Sequence, residues 1–143
     1  MSSDAHYRAL ERMYTGAPIN RFFRPSIHVN EGTAEVRMQV GSEMHHAAHA
    51  AHGAVYFKML DDASFFAVQS LVPEAFVLTV SFQVYLLAPV ADGQMISRGS
   101  VVHRTKRLFI AESVVEVDGV SLARGNGTFM RSRTPLDSRV GYE

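Results

Sequence analysis

Residues 53–72 read GAVYFKMLDDASFFAVQSLV, and their reading decides the fold. The stretch lacks period-two alternation and is too long for one strand. Its alanine, leucine and methionine favour helix. Val55, Phe57, Leu60, Ala63, Phe66, Ala67 and Leu71 spread round the helical circumference. A helix that is apolar on nearly every side is a buried one. The spacing therefore predicts a long central helix over about residues 52–72, stopped by Pro73. Two adjacent carboxylates, Asp61 and Asp62, fall in its middle. A buried charge is costly unless paired, so both need a reason. Successive helical residues are rotated by about 100°, so one carboxylate can reach a cavity while the other reaches solvent or a partner.

On the N-terminal side, Tyr7, Leu10, Met13 and Tyr14 share one face of a short helix over residues 4–14. Ser3 or Asp4 is placed to cap it, and Gly16 and Pro18 end it. Ala34, Val36, Met38 and Val40 then alternate with polar residues, which predicts a half-buried strand. Residues 27–29 are its hairpin partner across the Asn30-Glu31-Gly32 turn, after Pro25. On the C-terminal side, FVLTVSFQVYLLAP, QMISRGSVVHRT, LFIAESVVEVDG and VSLARGNGTFMR read as four strands. Asp118-Gly119 marks a tight hairpin between the last two. In the third of these strands Phe109, Ala111, Ser113, Val115 and Val117 share a face opposite Glu112 and Glu116. The polar tail after Arg131 is expected to be loose. The order is helix, two strands, buried helix, four strands. It predicts an α+β fold in which a mainly antiparallel sheet wraps one helix.

Neither repeat nor linker is visible in the 143 residues, so a single domain over 1–143 is expected, with its core at about 20–131. Formal net charge is zero. No global basic field therefore exists to hold nucleic acid or an anionic membrane surface. With no cysteine, disulfides, thiolate zinc sites and cysteine nucleophiles are excluded. MSSDAHYRALERMYTG has no apolar core of signal-peptide type. No apolar run approaches the roughly 18 residues of a membrane span. A cytoplasmic protein is expected.

Four of the seven histidines crowd into HHAAHAAHGA at 45–54: His45, His46, His49 and His52. Spacings of three and four suit a shared helical face, and imidazole suits zinc. The usual H-E-x-x-H signature is missing. No metal is therefore expected, and His45 and His49 have no assigned role.

HGAVYFKMLDDA, TVSFQVYLLAPVADGQ and VVHRTKRLFIAESVVEVDGVSLARGNGTF, in this order and spacing, resemble the hot-dog-fold acyl-CoA thioesterases. The resemblance is strongest to the phenylacetate-degradation, 4-hydroxybenzoyl-CoA thioesterase-like branch. It covers about residues 20–131. Its most specific part is His52-Gly53-Ala54 with Asp61 nine positions after His52. The resemblance implies a curved antiparallel sheet round a long helix, in a homodimer that is often a dimer of dimers. It implies hydrolysis of an acyl-CoA thioester to acid and CoA, with no cofactor besides the CoA of the substrate.

By the same resemblance Asp61 is the base or nucleophile, and Thr79 orients it or holds the attacking water. A helix start favours negative charge, so the Gly53 N–H is a candidate oxyanion donor, with His52 and Ala54 beside it. Lys106 and Arg107, flanked by Arg104, are candidates for the CoA phosphates, and Arg124 and Arg131 are weaker ones. His46 stands where relatives carry asparagine, and His49 where they carry glycine. His52 and Asp61 lie nine helical steps apart, roughly 13–14 Å. They can act together only across two chains. The competing readings are a metal site, an enoyl-thioester hydratase or dehydratase, and an acyl-CoA-binding protein without hydrolytic activity.

Overall fold

The computed structural model describes all 143 residues. Helix α1 (Ser3–Gly16) and a short α2 (Asn20–Phe23) precede strands β1 (Ser26–Asn30) and β2 (Thr33–Val40). Helix α3 (Gly53–Gln69) follows, then β3 (Ala75–Leu86), β4 (Gly93–Arg104), β5 (Phe109–Val117) and β6 (Val120–Pro135). One six-stranded sheet, in the order β1-β2-β4-β5-β6-β3, is antiparallel at every pairing. It packs against α3, which leans on β2 through β6. This is the predicted α+β layout, a hot-dog fold. No helix is long and apolar enough to cross a membrane.

Alternation in the sequence becomes alternation in burial. Ala34, Val36, Met38 and Val40 of β2 face the core, as do all five expected residues of β5. Fully buried Phe109, Phe129, Met59 and Leu60 sit between helix and sheet. Each contributes on the order of 2 kcal/mol of burial. Gly99 lies directly beneath α3: a Cβ there would stand 2.4 Å from the backbone carbon of Ala63. Helix and sheet thus meet backbone to backbone. Asp118 and Gly119 both have positive φ, 50° and 78°, as a two-residue hairpin with the right-handed strand twist requires.

Several boundaries differ from the sequence reading. Helix α3 stops at Gln69, and the chain beyond it tightens: the Leu71 and Val72 N–H groups bond the Val68 and Gln69 carbonyls, three residues back. Helix α1 is capped by Ser2, whose Oγ accepts from the Ala5 N–H, and not by Ser3 or Asp4. The core starts earlier than residue 20, since Leu10, Met13 and Tyr14 of α1 belong to it. The tail is not loose: β6 runs on to Pro135, a 3-10 turn follows at Ser138–Val140, and Leu136, Val140 and Tyr142 pack on the core. Nor is α3 buried on every side. Ala54 and Phe57 are exposed and Lys58, Asp61 and Phe65 half-buried, a stripe at helical spacing that the sheet does not cover.

Candidate active site

Asp61 and Asp62 part company as their rotation on the helix requires, yet both reach the same cavity. This cavity, of about 700 Å³, lies between α3, β3, α1 and the C-terminal turn. Asp62 is the paired one. Its Oδ2 accepts from the Tyr14 hydroxyl at 2.6 Å and from Lys58 Nζ at 2.7 Å. Lys58 sits one helical turn before it and also stands over the rings of Tyr14 and Phe23, 5.4 and 5.0 Å from their centres. Tyr14 is held far above the ordinary tyrosine range, by burial first and then by Asp62, so it stays a neutral donor.

Asp61 has no cation of its own. Its Oδ1 accepts from Thr79 Oγ1 at 2.9 Å. Burial pushes its pKa up from 3.8 to about 6. The Thr79 hydrogen bond works against that rise, neighbouring Asp62 adds to it, and Lys58 opposes it. A carboxylate poised near neutral pH on a cavity wall is suited to accept a proton from water.

Gly53, eight residues earlier, is about 12 Å away along the helix. It lines a second cavity, of about 290 Å³, together with His46 and residues 86–89. The Gly53 N–H takes no partner within the chain. A Cβ added at Gly53 would lie 3.2 Å from the Leu86 side chain, so the end of β3 packs close to the helix start. His52 is the N-cap of α3: its Nδ1 accepts from the Ala54 N–H at 2.9 Å. His46 does the same one loop earlier, its Nδ1 accepting from the Ala48 N–H at 3.1 Å. With Nδ1 occupied as an acceptor, each neutral imidazole carries its proton on Nε2.

The histidine-rich stretch is thus turn chemistry. His45 Nε2 bonds the Ala91 carbonyl at 2.6 Å, and His49 occupies a left-handed turn at φ 63°. No three His, Cys, Asp or Glu side chains come near enough to hold a metal.

The structure therefore brings Asp61 to Thr79 and Gly53 to His46, and keeps the two groups on separate cavities. Both border β3, an edge strand: Thr79 lies on it, and Leu86 ends it. That edge carries exposed apolar side chains, among them Val80 (58% exposed) and Leu86 (55%). Arg104, Lys106 and Arg107 are exposed at the β4–β5 turn, and none forms an ion pair. Arg131 is spent elsewhere, on Glu74, on the Lys106 carbonyl and over the Phe109 ring. Sequence reasoning missed Tyr14 and the tail as cavity walls. It also missed Lys58 as the partner of Asp62, although their four-residue spacing was the available signal.

A family model for the thioesterase superfamily matches residues 48–122. The Escherichia coli PaaI protein from the phenylacetic acid degradation operon superposes with a TM-score of 0.84 at 20% identity, covering 93% of this chain and 97% of that one. A conserved Pseudomonas aeruginosa protein gives 0.79 at 22%, over 85% and 98%. A phenylacetic acid degradation-related protein of Ralstonia eutropha gives 0.78 at 18%, over 87% and 98%. Curated protein sequences gave no match.

Proposed function

The chain belongs to the thioesterase superfamily, and from that premise we propose that it hydrolyses an acyl-CoA thioester to the free acid and CoA. The observation that carries this reading is Asp61, raised to about 6 and held by Thr79 on the wall of a cavity. Asp61 takes a proton from water, and the hydroxide attacks the thioester carbonyl. The carbonyl oxygen gains negative charge, which an unpartnered N–H at a helix start stabilises. Collapse of the tetrahedral adduct breaks the C–S bond, and the proton on Asp61 leaves with the CoA sulfur. Water and one carboxylate suffice, so the reaction asks for neither metal nor cofactor. Attack by Asp61 itself is the competing route. It would pass through an acyl anhydride on Asp61, and water that opens the anhydride at the Asp61 carbonyl would leave its labelled oxygen in that carboxylate after a single turnover.

The donor nearest in kind is Gly53, and its distance from Asp61 within one chain calls for a second copy. Two β3 edges paired antiparallel about a two-fold axis between Phe82 and Gln83 set Thr79 opposite Leu86 of the other copy. Thr79 faces α3 through Asp61, and Leu86 faces it through Gly53, so the register is consistent with a shared concave side. The exposed apolar residues of β3 support such a homodimer. His46 Nε2–H then takes the place of the amide donor of an asparagine at the thioester. Lys106, Arg107 and Arg104 remain the candidates for the CoA phosphates.

A thiol-release assay over a panel of acyl-CoA substrates tests the reading, with Asp61→Ala as control. The expected result is hydrolysis by the parent and loss of it in the variant. Equal rates in the two proteins would overturn the assignment of Asp61. Binding without thiol release would make the chain an acyl-CoA-binding protein.

A further inference from the structure

Resting on the thioesterase reading of the Asp61 cavity, a second inference concerns what closes that cavity. Three walls are fixed by regular structure: α3, β3 and the α1–α2 corner. The fourth is the C-terminal turn, through Arg139, Val140 and Gly141. We propose that the segment Leu136–Glu143 is a strap, clasped to α1, that closes the far side of the cavity and sets the largest acyl group it admits.

The strap is fastened at both ends. At its start the Leu136 N–H bonds the Glu74 carbonyl at 3.4 Å. At its end Arg12 Nε donates to the Glu143 carbonyl at 2.6 Å. The Tyr142 hydroxyl lies 2.8 Å from His6 Nδ1. His6 is itself buried, with Nε2 at 3.1 Å from the Gln69 carbonyl. A carbonyl only accepts, so Nε2 donates to it, and in the neutral imidazole Nδ1 is left as an acceptor facing the Tyr142 hydroxyl. One imidazole thereby ties the end of α3, helix α1 and the tail together.

Between the fastenings the strap is shaped to turn. Asp137 caps the 3-10 turn by accepting from the Arg139 N–H at 2.9 Å, and its carboxylate also receives the Arg139 guanidinium. Gly141, at φ 82°, reverses the chain beside Met13, where a Cβ would lie 3.7 Å from the Met13 Cα. The strap offers the cavity one apolar side chain, Val140, and no unpaired charge. Such a wall limits size without selecting a head group. Burial of each methylene is worth about 0.8 kcal/mol, roughly a fourfold change, so a wall displaced by a few methylenes re-ranks substrates by length.

Two variants test this in opposite directions. One ends at Pro135, and the other is Val140→Phe. Both are compared with the parent on straight-chain acyl-CoA substrates by kcat/KM, and on the matching free carboxylic acids by calorimetry. Circular dichroism and melting check that each is folded. Truncation is expected to raise the ratio of longer to shorter chains by about tenfold or more, and Val140→Phe to lower it. Length profiles that coincide with the parent's overturn the proposal. If the truncated chain does not fold, Val140→Phe decides alone. If the parent hydrolyses no thioester but binds acids with a strap-dependent length preference, the hydrolytic reading fails and the strap stands.

Discussion

The middle of α3 and its beginning are built on opposite plans. In the middle, every polar group has a partner inside the chain: Asp61 has Thr79, and Asp62 has Tyr14 and Lys58. At the beginning, the side chains of His46 and His52 are turned back on their own loop, while the Gly53 N–H is left over. The first region is a finished set of hydrogen bonds, and the second is unfinished, with one backbone donor over. The contrast shows how one helix can satisfy its carboxylates in the middle and leave a backbone donor unsatisfied at its start.

Asp61→Asn strikes the finished half hardest. Hydrolysis is expected to fall by about 10²–10⁴-fold, the usual worth of a general base. The same change should stabilise the fold above neutral pH. Because burial raises the folded pKa from 3.8 to about 6, the folded chain holds this proton more tightly than the unfolded one. The stabilisation is present below the unfolded value and is lost as pH rises through about 6. At pH 8 the charged carboxylate is therefore a burden of up to about 3 kcal/mol, which asparagine removes. Thermal melts at pH 8 check this, and a lower melting point for the variant would contradict it. In the parent, activity should rise with pH through about 6 as Asp61 ionises.

Gly53→Pro tests the unfinished half. Proline is tolerated at the first position of a helix, and His52, at φ −62° and ψ 145°, already has the extended conformation that precedes proline. The substitution deletes the spare N–H with little change of backbone. A loss of about 10²–10³-fold in kcat with an unchanged melting temperature is expected. Unimpaired turnover would show that this N–H takes no part.

Thr79→Val should have the smallest effect, about tenfold. The Thr79 hydroxyl donates to Asp61 and favours its charged form, so its loss raises the pKa further. The acid limb of the rate profile should move to higher pH. A pure loss of rate at fixed pH profile would assign Thr79 to the water instead.

What the sequence disclosed follows the range of the interactions. Helix α3, the β2 and β5 alternation and the Asp118-Gly119 hairpin rest on neighbours a few residues apart, and all three are where the pattern placed them. The separation of His52 from Asp61 was legible too, since helical rise alone fixes it. The contacts that escaped notice join distant positions: Tyr14 to Asp62, His6 to Tyr142, Arg12 to Glu143. A polar tail carries no periodicity to announce that Leu136, Val140 and Tyr142 will find a groove. The histidine cluster raised a metal site as a competing reading for the opposite reason. Local crowding of one residue type suggests convergence on one point, whereas His45, His46 and His52 each turn to a different backbone group.

Gly99 gives the Asp61–Thr79 hydrogen bond a dependence that no inspection of the cavity would reveal. It touches the α3 backbone at Ala63, two residues from Asp61, from the far side of the helix. The altitude of α3 above the sheet is therefore set there by the absence of a side chain, and the gap between Asp61 and Thr79 inherits that altitude. Even a single methyl group at position 99 would act as a shim, lifting the helix and lengthening a hydrogen bond on its opposite face. The tolerance of the Asp61–Thr79 contact is thus written in a position with no chemistry of its own.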